Sequence, residues 1–107
     1  WYLEFYAPQN KEVSTIIKHI KDIYQEEKNL DILEVGCGTG RISKGLAEQY
    51  KKIIPIDSND KYIDYCRQKY KDTDLKINFI HSDVKDFKSN KKFDVIVFGW
   101  IGFHYQD

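Results

Sequence analysis

The feature that most constrains this chain is Asp31-Ile-Leu-Glu-Val35, a short apolar run that stops at Gly36-Cys-Gly-Thr-Gly40. A run of that length ended by glycine reads as a buried strand. The glycines let the backbone turn tightly at its carboxyl end and approach a ligand with no Cβ in the way. Ile42, Leu46 and Tyr50 follow at four-residue steps, so the loop opens into a helix.

The rest of the chain repeats this alternation. Glu12 to Lys28 carries Val13, Ile16, Ile17, Ile20 and Ile23/Tyr24 at helical spacing, an amphipathic helix made to cover something flat. Lys52-Ile-Ile-Pro-Ile56 is a second strand, although its proline argues against a central position. Ser58 or Asn59 can cap the next helix, whose Ile63, Cys66 and Tyr70 share a face. Ile77-Asn-Phe-Ile80 gives a third strand and Phe93-Asp-Val-Ile-Val-Phe98 a fourth. Lys85 to Lys92 between them is polar and short, read as solvated surface, as is Lys21 to Lys28. Strand and helix in alternation specify parallel βαβ units with right-handed crossovers.

Composition narrows the class further. The 107 residues have room for one domain. They are 41% hydrophobic and 32% charged, with no apolar run long enough to span a membrane. Lys plus Arg equals Asp plus Glu, so the chain lacks the basic field of a protein that grips nucleic acid through phosphates. Its two cysteines, Cys37 and Cys66, form neither a disulfide framework nor a zinc pattern, and read as reduced thiols of a cytoplasmic protein. No metal site and no membrane contact are expected.

In an open parallel sheet, ligands bind beyond the carboxyl ends of the strands. The first strand is followed by Gly36 to Gly40, and the second by Asp57, 21 residues after Gly36. At that spacing a carboxylate accepts hydrogen bonds from ribose hydroxyls in nucleotide-binding folds. The third strand is followed by Ser82-Asp83-Val84, and the fourth by Gly99-Trp-Ile-Gly-Phe-His104. A dinucleotide site asks for a third glycine where Arg41 stands, so Gly40 suits a ligand without a pyrophosphate.

Blander readings stand beside each of these. The glycine loop can be a tight turn, Asp57 a helix cap, and Asp83 a turn former. Cys37 reads as a small side chain packed between glycines. Trp100, with Phe103 and Tyr105, is either a sheet-end cluster or part of an acceptor pocket. His104 is either a loop residue or a base.

Taken together, the motifs resemble those of the class I, Rossmann-like S-adenosylmethionine-dependent methyltransferases. Asp31 to Arg41 is similar to their first motif, Pro55-Ile-Asp-Ser58 to their second, His81-Ser-Asp-Val84 to their third and Phe93-Asp-Val-Ile-Val97 to their fourth. The resemblance runs from about Val13 to Phe98. It implies strand order 3-2-1-4 among the four strands, with S-adenosylmethionine as cofactor. Gly36, Cys37 and Gly38 would then offer backbone to the methionine part and Glu34 would reach its ammonium. Asp57 would hold the ribose, with Ser58 beside the adenine. Asp83 would accept from the adenine amino group and the Val84 amide would pair with a ring nitrogen, while Gly99 and Trp100 would lie near the methyl donor.

The resemblance implies methyl transfer but does not name the acceptor. Gly99-Trp-Ile-Gly-Phe-His-Tyr105 resembles the corresponding loop of some small-molecule methyltransferases, so an unidentified small molecule is expected, with a nucleic-acid or protein acceptor left open and no residue assigned to catalysis beyond His104 as a candidate base. A non-catalytic S-adenosylmethionine-binding module and half of a nicotinamide-dependent oxidoreductase are the alternatives. The complete family fold has seven strands, so residues 1–107 are expected to be a single domain incomplete at both ends. Residues 1–11 would serve as a lid or an extension. The sheet edge beside the fourth strand would be open, or closed by a second copy in a homodimer.

Overall fold

The structure, a computed structural model, describes residues 3–6, 13–75, 77–87 and 92–98. In chain order the elements are β1 (Leu3–Tyr6), α1 (Val13–Tyr24), β2 (Asp31–Val35), α2 (Arg41–Ala47), β3 (Lys52–Asp57), α3 (Asp60–Tyr70), β4 (Ile80–His81) and β5 (Val95–Phe98). The strands form one sheet in the order β1-β5-β2-β3-β4, with every pair parallel. The four strands expected from the sequence are β2 to β5, and they lie in the Rossmann-like order 3-2-1-4.

The edge beside β5 is not open, contrary to expectation. Leu3–Tyr6 pairs there in parallel, from Leu3 opposite Val95 to Tyr6 opposite Phe98. The segment is rich in aromatic residues that favour extended backbone, and its amide groups supply the ladder that β5 would otherwise lack. The reason for expecting a second copy at that edge therefore falls away.

Pro55 sits in an internal strand without cost to the ladder. Gly36 N and Cys37 N both donate to Ile56 O, so Ile56 faces β2. Its neighbour Pro55 faces the other way, where pairing with β4 begins only at Ile56 opposite Ile80. No partner waits for the amide hydrogen that proline lacks.

Two expected strands are shorter than their apolar runs. Arg67 donates through Nε and Nη2 to Phe79 O, at 3.3 and 2.8 Å, so that carbonyl is satisfied by a side chain and β4 starts at Ile80. Asp94 closes the sheet's amino end: its Oδ2 accepts from Asp31 N, and its own N–H donates to Asp31 O. The β5 strand accordingly starts two residues later than the apolar run, at Val95.

One core cluster unites Ile16 and Ile20 of α1, Ile42 and Leu46 of α2, Ile32, Ile53, Val95 and Val97 of the sheet, and Tyr50. A second joins Ile63, Cys66 and Tyr70 of α3 to Cys37 and Phe79. Ile77 packs against both, so the three helices cover one face of the sheet. On the opposite face Leu33, Val35 and Ile56 are buried, with Phe87 and Phe93 against them. Among the described residues no helix is long and apolar enough to cross a membrane.

Candidate cofactor site

The carboxyl ends of β2, β3 and β4 converge through backbone as well as side chains. Beyond the two bonds onto Ile56 O, Ser82 N donates to Asp57 O, at 3.0 Å. His81 Nε2 lies 3.0 Å from Ser58 O. Three of the four expected strand-end segments are therefore neighbours. The fourth, with Gly99, Trp100, Phe103 and His104, lies outside the described residues.

Gly36, Gly38 and Gly40 all have positive φ, at 77°, 56° and 89°. L residues pay for that conformation, so the loop path needs glycine. The two later glycines differ in surroundings. A Cβ on Gly40 would lie 3.0 Å from the Tyr70 ring and 3.1 Å from Cys66 Sγ, so α3 fills that side. A Cβ on Gly38 would meet nothing within 4 Å, which leaves the loop open where a ligand would approach.

Asp57 is 6% exposed and anchors the loop. Its Oδ2 accepts from Gly38 N and its Oδ1 from Asn59 N, both at 2.9 Å. The helix-cap role belongs instead to Asn59, whose Oδ1 accepts from Lys61 N. Each carboxylate oxygen retains acceptor capacity after one such bond. Ser58 is exposed beside it. Asp83 Oδ1 accepts from Lys85 N in a local turn, and Val84 is 45% exposed.

Glu34 is the electrostatic anomaly of the site. It points from β2 into the helical layer and is 1% exposed. Its Oε1 accepts from Ser43 Oγ of α2 at 2.6 Å, and its buried Oε2 has no hydrogen-bond partner. Burial pushes the carboxyl up to about 8, against the opposing effect of the Ser43 bond. A buried acid with one unused oxygen suits a cation that would restore its charge. This orphaned oxygen, together with the open face of Gly38, fits the ammonium and backbone contacts that the S-adenosylmethionine resemblance implies.

The structure adds three supporting residues to which the sequence assigns no part in the site: Ser43, Cys66 and Tyr70. Ser43 holds Glu34, while Cys66 Sγ donates to Gly38 O at 3.3 Å and Tyr70 Oη to Gly40 O at 3.3 Å. Cys66 and Tyr70, one helical turn apart, thus fix the loop carbonyls from below. The signal was present only in chemistry, because a buried tyrosine hydroxyl needs a partner and periodicity names none. Among the described residues, no group of three or more His, Cys, Asp or Glu is placed to hold a metal.

A family described as "Methyltransferase domain" matches residues 32–107, most of the chain and all of the site. The chain belongs to this family. A ubiquinone biosynthesis O-methyltransferase of Rickettsia canadensis (strain McKiel) is 37% identical over 82 residues, covering 77% of this chain and 35% of that protein. The plantazolicin methyltransferase BpumL, solved in complex with SAH, superposes with a TM-score of 0.65 at 26% identity, over 80% of this chain and 33% of that one. An S-adenosylmethionine-dependent methyltransferase from Clostridium acetobutylicum ATCC 824 shares the fold at a TM-score of 0.72 and 23% identity, over 86% and 37% of the two chains. The methyltransferase-domain chain spans about a third of the length of the relatives it matches.

Proposed function

We propose that this chain binds S-adenosylmethionine at the carboxyl ends of β2, β3 and β4, as the cofactor-holding part of a methyltransferase for a small-molecule acceptor. The observation that carries the reading is Glu34, a buried acid beside an open glycine loop with one carboxylate oxygen unused. Family membership supports it, as do relatives named for SAH binding and for O-methylation in ubiquinone biosynthesis.

The residues divide the cofactor among them. Glu34 meets the ammonium, directly or through water, and Gly36, Cys37 and Gly38 offer backbone to the methionine chain. Asp57 takes the ribose hydroxyls with the acceptor capacity left over from holding Gly38 and Asn59. Ser58 lies beside the adenine, the Asp83 carboxylate accepts from its amino group, and the Val84 amide donates to a ring nitrogen. Gly99, outside the described residues, is assigned to the methyl-donor end by the family resemblance alone.

When bound, S-adenosylmethionine supplies an activated methyl group that leaves its sulfonium by in-line displacement. The chain's own task is alignment at near-attack distance, about 3–3.5 Å, and no side-chain nucleophile is called for. The glycine loop that holds the cofactor is braced by Asp57, Cys66 and Tyr70, each of which bonds one of its backbone groups.

Calorimetric titration with S-adenosylhomocysteine, on the wild-type chain and on Asp57→Ala, tests the assignment. The variant is expected to bind at least tenfold more weakly, about 1.4 kcal/mol, with circular dichroism showing that it is folded. Absence of binding by the folded wild-type chain would contradict the reading. Binding of NAD in its place would favour an oxidoreductase.

A further inference from the structure

Methyl transfer calls on the sulfur of neither cysteine as a reactant, yet both sulfurs meet at the cofactor loop. Cys37 lies inside the loop and Cys66 in the middle of α3, at 7% and 0% exposure. Their side chains share one buried cluster with Ile63, Tyr70 and Phe79. Both sulfurs also converge on one carbonyl, Gly38 O, with Cys66 Sγ at 3.3 Å and Cys37 Sγ at 3.9 Å. Cys66 Sγ also lies 3.1 Å from where a Gly40 Cβ would stand, directly against the loop.

We propose that Cys37 and Cys66 are a redox-active dithiol, in which an intramolecular disulfide tethers the glycine loop to α3 and weakens cofactor binding. Formation of the disulfide rests on this geometry alone; its effect on affinity rests on the cofactor reading above. The neighbouring Cys37 thiol draws the Cys66 thiol below its ordinary range, while Cys66 and burial push Cys37 up. When the loop opens, the Cys66 thiolate attacks one sulfur of a small disulfide such as oxidised glutathione and expels a glutathione thiolate. Cys37 sulfur, giving up its proton, then attacks Cys66 Sγ and expels the second glutathione. Two protein thiols are oxidised, one glutathione disulfide is reduced, and the two protons end on the two glutathione thiols.

Binding suffers because the tether acts on the atoms that bind. Bond formation pulls Cys37, flanked by the glycines whose backbone meets the methionine chain, toward α3. It also removes the Cys66 S–H that Gly38 O now accepts. Conversely, a ligand that holds the loop closed shields both sulfurs from exchange.

The test is incubation of the chain with oxidised glutathione, with and without S-adenosylhomocysteine, read by intact-mass spectrometry and free-thiol titration. Expected is loss of both thiols without retained glutathione, protection by S-adenosylhomocysteine, and at least tenfold weaker binding that dithiothreitol restores. Cys37→Ser and Cys66→Ser should each stop at a single glutathione adduct or stay unmodified. Thiols that remain free, or adducts that persist in the wild type, would overturn the dithiol. A disulfide that forms with affinity unchanged would overturn the switch. A disulfide in a chain that never binds the ligand, even when reduced, would support the dithiol and refute the cofactor reading.

Discussion

Glu34 places a carboxyl where water does not reach, next to residues that disagree about its charge. Asp57 and Cys66 favour the protonated form and Arg41 the ionised one, and desolvation outweighs them all. With its carboxyl near 8 in the fold and near 4.5 when exposed, Glu34 holds a proton in the folded chain that the unfolded chain gives up. Its contribution to stability is therefore full below the lower value and is lost as pH rises toward about 8, at about 1.4 kcal/mol per pH unit. Glu34→Gln keeps the shape of the neutral acid. Urea unfolding of the ligand-free chain between about pH 5 and pH 8 should show a steep fall for wild type and a flatter line for the variant. The variant should be the more stable of the two at the alkaline end. Equal slopes would mean that Glu34 is ionised throughout.

The glycine loop and α3 act as one unit, and its two later glycines should respond differently to alanine. Both substitutions meet positive φ, which costs about 1–3 kcal/mol. At Gly40 the new methyl also presses on the Tyr70 ring and Cys66 Sγ, so Gly40→Ala should lose more stability than Gly38→Ala in urea unfolding. At Gly38 the methyl enters open space, so Gly38→Ala should leave a folded chain that binds S-adenosylhomocysteine poorly. The reverse order of stabilities would show that the loop does not rest on α3 as described. Strand β2, the Asn59 cap and the buried face of α3 were legible in the sequence, because each follows from local periodicity or capping chemistry. The clamp on the loop was not. Periodicity assigns Cys66 and Tyr70 to a buried face without saying which polar atom meets them there. The starts of β4 and β5 fall later than their apolar runs for the same reason, since Arg67 and Asp94 take the backbone groups that would have extended each ladder.

Over the whole molecule, strand order follows from the βαβ alternation, and the site follows from strand order, because three carboxyl ends carry Gly36–Gly40, Asp57 and Asp83 to one place. The pairing of β1 with β5 joins residues at opposite ends of the chain. No local pattern announces such a contact, which explains why the edge was expected to be open. The central claim is that this assembled site receives a cationic amino-acid group at Glu34. Titration calorimetry with S-adenosylhomocysteine near pH 7, in two buffers of different ionisation enthalpy, measures it directly. Because Glu34 is protonated there and meets an ammonium on binding, the account predicts release of about one proton per ligand, absent in Glu34→Gln. Binding with the same heat in both buffers would contradict it.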